Sequence, residues 1–556
     1  MGSGDTISIR VVDAADLISP ARQFVVPGPL VLPPDPTDTM LSFDRTTVTD
    51  LYDRIRFFYE DLPPVQEGVD PSGVDPRRVS LLRGRVFGVD LQPVGDVSVG
   101  IAGQPELGRT LTRTDGGFDL MVHGGGLLTV QYRSVGYLPV DRQIRVGWGE
   151  YAVAPDVVMT ALDSEVTAVD LTDPVTVHVV RGSPVTDSDG TRRATLLIFP
   201  DTVAEIQTGV GGFEPVSVLN LRATEYTVGG GGELAMPAPL PPTSFYTYAV
   251  EYSADEATVP GGGKVLFSQP VVSYLENFLS LAVGSTVPAG SYDRETKTWS
   301  GVRNGRVVEL LGVTGGLADL DLDGAGFVAD AAALAAFGIT DAEREKVADL
   351  YSVGQQLWRF SLDHFSPQDF NLPGAPDVAV PSDARAPQQA RPTGGDEDKK
   401  DGNCLTGGSI IECESQVLGE VIGLTGTPLA LHYRSDRVPG RTAAYELSIP
   451  LTGSAVPGSL SRVEVEVQVA GQSFAESFVP SPDLHHTFHW DGNDPYGRGL
   501  QGRIPYEARV GYTYPARYEQ PPDGCDSCFG CSGSIDIAPH GRYAWISALS
   551  WASPRS

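Results

Sequence analysis

Apolar and polar residues alternate with a period of two along most of the chain, which is the pattern of β-strands with one buried face. The alternation is clearest between residues 79 and 161, in the segments "VSLLRGRVFG", "PVGDVSVGI", "RTLTRTDGGFDLMV", "LLTVQYRSVGYLPV" and "RQIRV". Asp115-Gly116-Gly117 marks a tight turn between two such segments. Roughly seven short strands in this region predict a small β-sandwich.

One early segment has helical spacing instead. Leu51, Ile55 and Phe58 recur at helical intervals in "TTVTDLYDRIRFFYEDL", and Thr47 and Asp50 are placed like a capping box. We therefore predict a short helix that docks on the rest of the structure.

A second switch of period comes between residues 330 and 353. "DAAALAAFG" and "TDAEREKVADLYSVG" predict two helices, with Thr340 and Glu343 as a capping box for the second. Gly338 and Gly354 stand where helices commonly end.

These patterns divide the chain into six regions and predict a mainly β fold, with several β-sandwich domains in series and one small helical element. The regions are 1–78, a Pro-rich strap with the docking helix; 79–161, a β-sandwich; 162–318, a β-rich domain; 319–372, an EF/dockerin-like calcium loop with two helices; 373–403, a linker; and 404–556, a C-terminal β domain.

Composition narrows the possible partners. The chain has 556 residues, with 71 acidic and 40 basic ones, so its net charge is -31. This charge would repel a phosphate backbone and anionic lipid surfaces, so we expect no nucleic acid as a partner. No apolar run is long enough to span a bilayer, and the start "MGSGDTISIRVV" does not resemble a secretory signal peptide.

A calcium site is the strongest candidate for bound chemistry. "DLDLDGAGFVAD", residues 319–330, carries acidic residues at its first, third, fifth and twelfth places and a glycine at the sixth. Calcium prefers about six to eight oxygen ligands, which such loops supply. The predicted ligands are Asp319, Asp321, Asp323, the Ala325 carbonyl and Asp330. A solvated acidic turn is the alternative, and we expect a bound ion to staple the loop rather than to act as a switch.

The cysteines and histidines give weaker signals. All five cysteines follow residue 400: Cys404, Cys413, Cys525, Cys528 and Cys531. The last three, in "CDSCFGC", fit a disulfide, a metal site without an obvious fourth ligand, or free thiols. His485 and His489 lie in a predicted strand, which favours ordinary packing or surface roles.

No catalytic constellation stands out. "HGGG" at residues 123–126 is similar to an esterase oxyanion motif, but the required G-x-S-x-G elbow is absent from the sequence. We interpret these glycines as a turn between two strands. His364 is interpreted as a satisfied core residue, and we expect the protein not to be an enzyme.

Residues 79–161 resemble a prealbumin-like, or carboxypeptidase-regulatory-like, domain through "GRVF…QPVGDVSV", "TRTDGGFDL" and "VQYRSVGYLP". Further segments resemble bacterial Rhs/YD-repeat proteins and their teneurin-like relatives. These segments include "VPAGSYDRETKTWSGVRNGRVVELLG", "GQQLWRFSLDHFSPQDFN", "GSIIECESQVLGEVIGLTGTPLALHYRSDRVPGR" and "FHWDGNDPYGRGLQGRIPYEARVGYTY".

The resemblance implies a non-catalytic scaffold whose last domain, an Ig-like plug, closes one end of a β-shell made of YD repeats. In that family the shell often encloses a toxin or carries adhesion surfaces. No YD repeats follow here, so we expect the front end of such a protein, or a truncated or split relative, with the shell encoded downstream or in an adjacent chain. The implied location is extracellular or delivered by a secretion system, with the chain cytoplasmic before export.

We expect four aromatic residues to lock the plug: Trp358, Phe365, Trp490 and Tyr496. The alternative function is an independent surface adhesion module that binds a glycan or a protein.

Overall fold

The computed structural model describes residues 6–9, 22–25, 32–40, 49–187, 190–207, 212–241, 244, 246–257, 263–376, 388–389, 419–434, 445–500, 504–520, 529–530 and 535–552. No helix among them has both the length and the apolar character needed to cross a membrane.

Among the described residues of the N-terminal region are one strand pair and three short α-helices. These are β1 (Thr6–Ile9), β2 (Arg22–Val25), α1 (Pro36–Thr39), α2 (Leu51–Ile55) and α3 (Phe57–Glu60). Asp50 caps α2, because its carboxylate accepts a hydrogen bond from the Asp53 backbone N–H. The predicted docking helix is therefore present, but it is interrupted at Arg56. Thr47 lies outside the described residues.

The predicted first sandwich is present, with eight strands rather than seven. They are β3 (Val79–Gly88), β4 (Ser98–Ile101), β5 (Arg109–Leu111), β6 (Gly117–His123), β7 (Gly126–Arg133), β8 (Val140–Val146), β9 (Tyr151–Val153) and β10 (Val157–Met159). One sheet has the order β10-β3-β6 with β9 also on β3, and the other has the order β5-β4-β7-β8. The Asp115-Gly116 turn carries the chain from one sheet to the other, and Gly116 has a φ of 74°.

The central domain is larger and is built mainly of two sheets. Its strands are β11 (Thr167–Asp170), β12 (His178–Arg181), β13 (Val185–Asp187), β14 (Gly190–Arg192), β15 (Thr195–Ile198), β16 (Ala204–Gln207), β17 (Phe213–Val216), β18 (Val218–Glu225), β19 (Ala249–Ala254), β20 (Val265–Glu276), β21 (Thr286–Val287), β22 (Gly290–Asp293), β23 (Thr298–Gly301), β24 (Gly305–Thr314), β25 (Leu317–Asp321), β26 (Gln356–Phe365) and β27 (Pro367–Asp369). The sheet orders are β11-β18-β19-β27-β22-β23 and β12-β15-β20-β26-β24-β21, and the main apolar core lies between them. β13 and β14 form a separate pair.

The predicted boundary between residues 318 and 319 is wrong, because it cuts through one sheet. β25 pairs with β24, and β26 pairs with both β20 and β24. The two predicted helices, α4 (Ala331–Ala336) and α5 (Asp341–Leu350), connect β25 to β26 and pack on the outer face of that sheet. Residues 162–372 therefore form one domain with a helical insertion.

The C-terminal region is again β-structure. Its strands are β28 (Gly374–Pro376), β29 (Gln388–Gln389), β30 (Gly419–Gly423), β31 (Ala430–Arg434), β32 (Glu446–Pro450), β33 (Arg462–Val469), β34 (Gln472–Phe478), β35 (His485–His489), β36 (Tyr506–Gln520) and β37 (Ile535–Ala552). One sheet has the order β28-β36-β33-β34, with β37 also on β36, and a smaller sheet has the order β29-β32-β35. Strands β28 and β29 lie within the predicted linker, residues 373–403. Its residues 377–387 and 390–403 lie outside the described part of the chain.

Two of the four predicted aromatic anchors belong to a different domain. Trp358 and Phe365 lie on β26 in the core of the central domain, so the prediction that they lock the plug is wrong. Trp490 packs at the edge of the C-terminal core against Tyr445. Tyr496 leaves that core altogether and enters the apolar cluster under the first sandwich.

Candidate functional site

The first sandwich and the C-terminal β domain meet at a junction built around Tyr496. A short loop presents this residue, since Asn493 and Gly499 form a β-bridge at its base. The buried Asp494 carboxylate shapes the loop by accepting hydrogen bonds from the backbone N–H groups of Tyr496 and Arg498. The Arg498 side chain completes the arrangement with a 2.7 Å bond from Nε to the same carboxylate.

The Tyr496 hydroxyl reaches a buried carboxylate in the other domain. Asp119 on β6 is fully buried and accepts three hydrogen bonds: from Arg83 Nε at 2.5 Å, from an Arg113 terminal nitrogen at 2.7 Å and from the Tyr496 hydroxyl at 2.8 Å. Burial alone would raise the pKa of Asp119, but Arg83 and Arg113 together hold this pKa below its usual range.

Aromatic and cationic groups surround the Tyr496 ring. Phe58 of α3 makes an edge-to-face contact with it, at a centroid distance of 6.3 Å. The guanidinium groups of Arg83 and Arg498 lie 5.4 and 5.1 Å from the ring centroid. Because burial raises the pKa of Tyr496 far above its usual range, the hydroxyl stays a hydrogen-bond donor.

Two backbone contacts close the junction. Arg498 donates to the Arg54 carbonyl at 3.0 Å, which joins the loop to α2, and Arg83 donates to the Gly471 carbonyl at 3.0 Å. Gly471 has a φ of 75°, and a Cβ there would lie only 3.3 Å from Tyr151. The docking helices, the sandwich and the C-terminal domain are thus held at a single buried point.

An exposed apolar hairpin is the second notable feature. β30 and β31 pair only with each other among the described strands. Five of its apolar side chains are exposed, with Val421 at 63% and Leu429 at 64%; the others are Ile422, Leu424 and Leu431. Neighbouring residues of a strand point to opposite faces, so Val421 and Ile422 leave both faces of the hairpin apolar.

The predicted calcium loop, residues 319–330, forms a turn, but this turn begins at Asp321 rather than at Asp319. The buried Asp321 carboxylate accepts hydrogen bonds from the backbone N–H groups of Asp323, Gly324 and Gly326. Although burial alone would raise the pKa of Asp321, these three bonds lower it. Asp323 accepts one further bond, from the Ala325 N–H.

The other predicted ligands point elsewhere. Asp319 accepts a bond from Thr314 and lies 3.5 Å from Arg344, and Asp330 caps α4. Counted from Asp321, the fifth and twelfth loop positions, which normally supply oxygen ligands, are Ala325 and Ala332. Across the described residues, no three His, Cys, Asp or Glu side chains are placed to hold a metal ion. The set of five ligands is therefore not assembled, and calcium binding stays a prediction.

Replacing Asp321 by alanine is expected to lower stability by about 1–3 kcal/mol, because three backbone N–H groups lose their acceptor. Asp323→Ala is the matched control and should cost less, since it frees only one exposed N–H group. Calorimetry of the wild-type chain with calcium and with a chelator tests the ion separately. A higher melting temperature in calcium supports the predicted site, whereas identical curves reject it.

The glycines of "HGGG" and the histidines His485 and His489, which the sequence analysis considered, have structural roles. Gly124 and Gly125 connect β6 to β7, which confirms the turn predicted for "HGGG". A Cβ on Gly124 would lie 1.8 Å from the Gly147 carbonyl oxygen, so only glycine fits there. His485 and His489 are exposed on β35, which confirms the predicted strand. All five cysteines lie outside the described residues.

One contact was missed by the sequence reasoning. The Ser291 hydroxyl lies 3.2 Å from His364 Nε2 and 2.7 Å from the Ser366 hydroxyl. A serine–histidine contact could serve nucleophilic chemistry, but Ser291 is only 6% exposed and shares its hydroxyl with Ser366. Ser291 on β22 is far in sequence from His364 on β26 and from Ser366 just after β26, so no local motif could have paired them.

The two domains that meet at this junction both match families of known domains. Residues 74–159 match the family described as "Teneurin TTR-like domain", and residues 446–519 match "Teneurin 1-4, FN-plug domain". The chain carries two teneurin-type domains. The TTR-like domain is the first sandwich, which confirms the prealbumin-like resemblance, and the FN-plug domain includes Tyr496.

The curated relatives are far longer than this chain. Mouse Teneurin-3 is 38% identical over 106 residues, which cover 19% of this chain and 4% of the relative. Chicken Teneurin-1 is 28% identical over 202 residues, covering 35% of this chain and 7% of the relative. The chain thus spans less than a tenth of the relatives it matches. Among solved structures, a streptococcal ancillary pilin is 11% identical, and the match covers 25% of this chain and 59% of that chain. Its TM-score of 0.14 is too low to indicate a shared fold.

Proposed function

We propose that this chain is a non-catalytic scaffold and plug at the N-terminal end of a teneurin-like or Rhs-like protein, extracellular or delivered by a secretion system. The exposed hairpin β30–β31 carries the proposal. An isolated two-stranded hairpin is marginal in water, and one with two apolar faces needs cover on both sides. A flat partner covers one face, so a concave apolar partner fits best.

The junction supports the same function. The hairpin precedes the FN-plug domain by a short stretch of chain, and that domain is fixed to the TTR-like sandwich through Asp119 and Tyr496. A buried connection with several charge-assisted hydrogen bonds suits a part that must keep its orientation against a large partner. The partner we propose is a shell of YD repeats, encoded downstream or in an adjacent chain.

The alternative, an independent adhesion module, has less support in the structure. A small cleft between the sandwich and the central domain is lined by Tyr292 and Trp299, as a glycan site could be. Three of its polar side chains are already paired, however. Lys297 binds Asp141 at 2.8 Å, and the Trp299 indole donates to the Pro239 carbonyl at 3.0 Å.

The double variant Val421→Ser with Leu429→Ser tests the plug. We expect the wild-type chain to bind an apolar dye, to self-associate, and to co-purify with the YD-repeat shell when the two are co-expressed, and we expect the variant to lose all three properties. Val175→Ser is the matched control, because Val175 is 80% exposed but lies far along the chain in the central domain. A wild-type chain that stays monodisperse and binds no dye would favour the adhesion module instead.

A further inference from the structure

Asp369, at the end of β27, is a buried carboxyl group that neither the junction nor the hairpin uses. It is fully buried, and among the described residues neither carboxyl oxygen has a well-formed hydrogen bond. Burial raises the pKa of Asp369 far above its usual range, and the nearby Asn371 amides offset only part of this effect. Burial therefore favours the neutral form of this group.

A glycine beside Asp369 makes room for a ring from the C-terminal segment. Asp369 pairs with Ala249 on one side and with Gly290 on the other, so these residues share one face of the sheet. The Phe529 ring fills the space above Gly290, because a Cβ built there would lie 2.4 Å from the ring. Trp299 contacts the same ring, with centroids 5.6 Å apart. Because Gly290 is the cross-strand neighbour of Asp369, the Phe529 ring covers the position next to Asp369 on this face.

The other ionisable side chains on this face have partners. Glu251 follows Ala249 by two residues, and Tyr292 follows Gly290 by two residues, so both point to the same side as Asp369. The partnered groups are Glu251 with Arg294 and Tyr226, and Tyr292 with Asp141, which also binds Lys297 and Arg133. Among the buried carboxyl groups of the described strands on this face, Asp369 is the one without a basic partner.

We propose that the Phe529 seat, formed by Gly290, Trp299 and Asp369, stays closed while Asp369 is uncharged and loosens when Asp369 ionises. An ionised carboxylate buried next to an aromatic ring, with no cation, is strongly disfavoured, and opening the seat would admit water to it. The seat would couple the position of Phe529 to pH, and this coupling does not depend on the plug function.

The sign of the pH dependence follows from the raised pKa. The stability of the closed seat is complete below the ordinary value of 3.8 and is lost as the pH rises through the folded-state pKa. The histidines His123 and His364 have lowered pKa values, owing first to burial, and their contribution to stability rises with pH, which is the opposite sign. A comparison with a variant that lacks only the Asp369 charge removes their contribution.

Hydrogen exchange of the full chain between pH 5 and 8, corrected for intrinsic rates, tests the seat. We expect the protection of the Phe529 peptide to fall with pH in the wild-type chain, by up to about tenfold per pH unit. In Asp369→Asn we expect high protection at every pH. Asp363→Asn, an exposed carboxyl on β26, is the matched control and should follow the wild type.

Phe529→Ala gives an independent check that does not alter the buried carboxyl. Its peptide should be poorly protected at all pH values, and the melting temperature should lose the Asp369-dependent part of its pH profile. Wild-type and Asp369→Asn profiles that run parallel would overturn the proposal. A pH dependence that persists unchanged in Phe529→Ala would also overturn it, because Asp369 would then act through another contact.

Discussion

Asp119→Ala is expected to destabilise the junction by about 3–5 kcal/mol and to release the TTR-like sandwich from the FN-plug domain. The substitution leaves the Arg83 and Arg113 guanidinium groups without their buried carboxylate and removes the acceptor of the Tyr496 hydroxyl. Urea denaturation measures the loss. Limited proteolysis locates it, since separated domains expose the loop that carries Tyr496.

Two milder variants show whether the charge is the cause. Tyr496→Phe removes one hydrogen bond but keeps the ring against Phe58, so we expect a cost of about 1–2 kcal/mol. Asp115→Ala removes a largely exposed carboxylate that lies 3.7 Å from Arg113 and accepts one turn hydrogen bond from the Gly117 N–H, so we expect a cost of about 0.5–1.5 kcal/mol. If Asp119→Ala costs no more than Asp115→Ala, the junction does not hold the two domains together.

The Asp119 carboxylate also makes the stability of the junction depend on pH, with a loss of stability in acid. The pKa of Asp119 is lowered in the folded state, so its contribution is fully present above its ordinary value of 3.8 and is lost as the pH falls through the folded-state pKa. The seat at Asp369 has the opposite dependence. One chain therefore contains a domain junction that weakens in acid and a C-terminal seat that weakens in base.

The period-two pattern predicted strands well where a sheet buries mainly one face, as in β7 and β33. It could not predict which strands pair. The predicted boundary between residues 318 and 319 is wrong for this reason. β26 lies between β20 and β24 in the sheet, and the local pattern of residues 356–365 does not indicate which strands pair with it. Trp358 was assigned to the wrong core for the same reason. Its size and apolar character predict that it is buried, but they do not indicate in which domain.

The acidic loop shows a second limit. "DLDLDGAG" fits two loop registers, and the backbone decides between them, because the Gly326 N–H donates to Asp321 rather than to a group near Asp319. Gly326 has a φ of 75°, which only glycine adopts readily. Asp369 was not singled out either, since its unusual environment comes from Gly290 and Phe529, both distant in sequence.

Glu343→Ala is expected to cost about 3–5 kcal/mol and to detach the two-helix insertion from the central sheet. Glu343 was predicted as part of a capping box, but only half of that box forms: Thr340 accepts from the Glu343 N–H. The Glu343 side chain is instead fully buried, and it binds Arg359 through both oxygens, at 2.6 and 2.9 Å, and Tyr274 at 2.5 Å. Alanine would leave the Arg359 charge buried and unpaired.

Glu345→Ala on the same helix is the matched control, and we expect it to change stability by less than about 0.5 kcal/mol because Glu345 is exposed. Adding Arg359→Met to Glu343→Ala should recover part of the loss, since the stranded charge is then replaced by apolar volume. A ten-residue helix is not stable alone in water, so hydrogen exchange across α5 should report the detachment directly. Unchanged protection of α5 in Glu343→Ala would show that the apolar contacts of Val347 and Tyr351 suffice to hold the insertion.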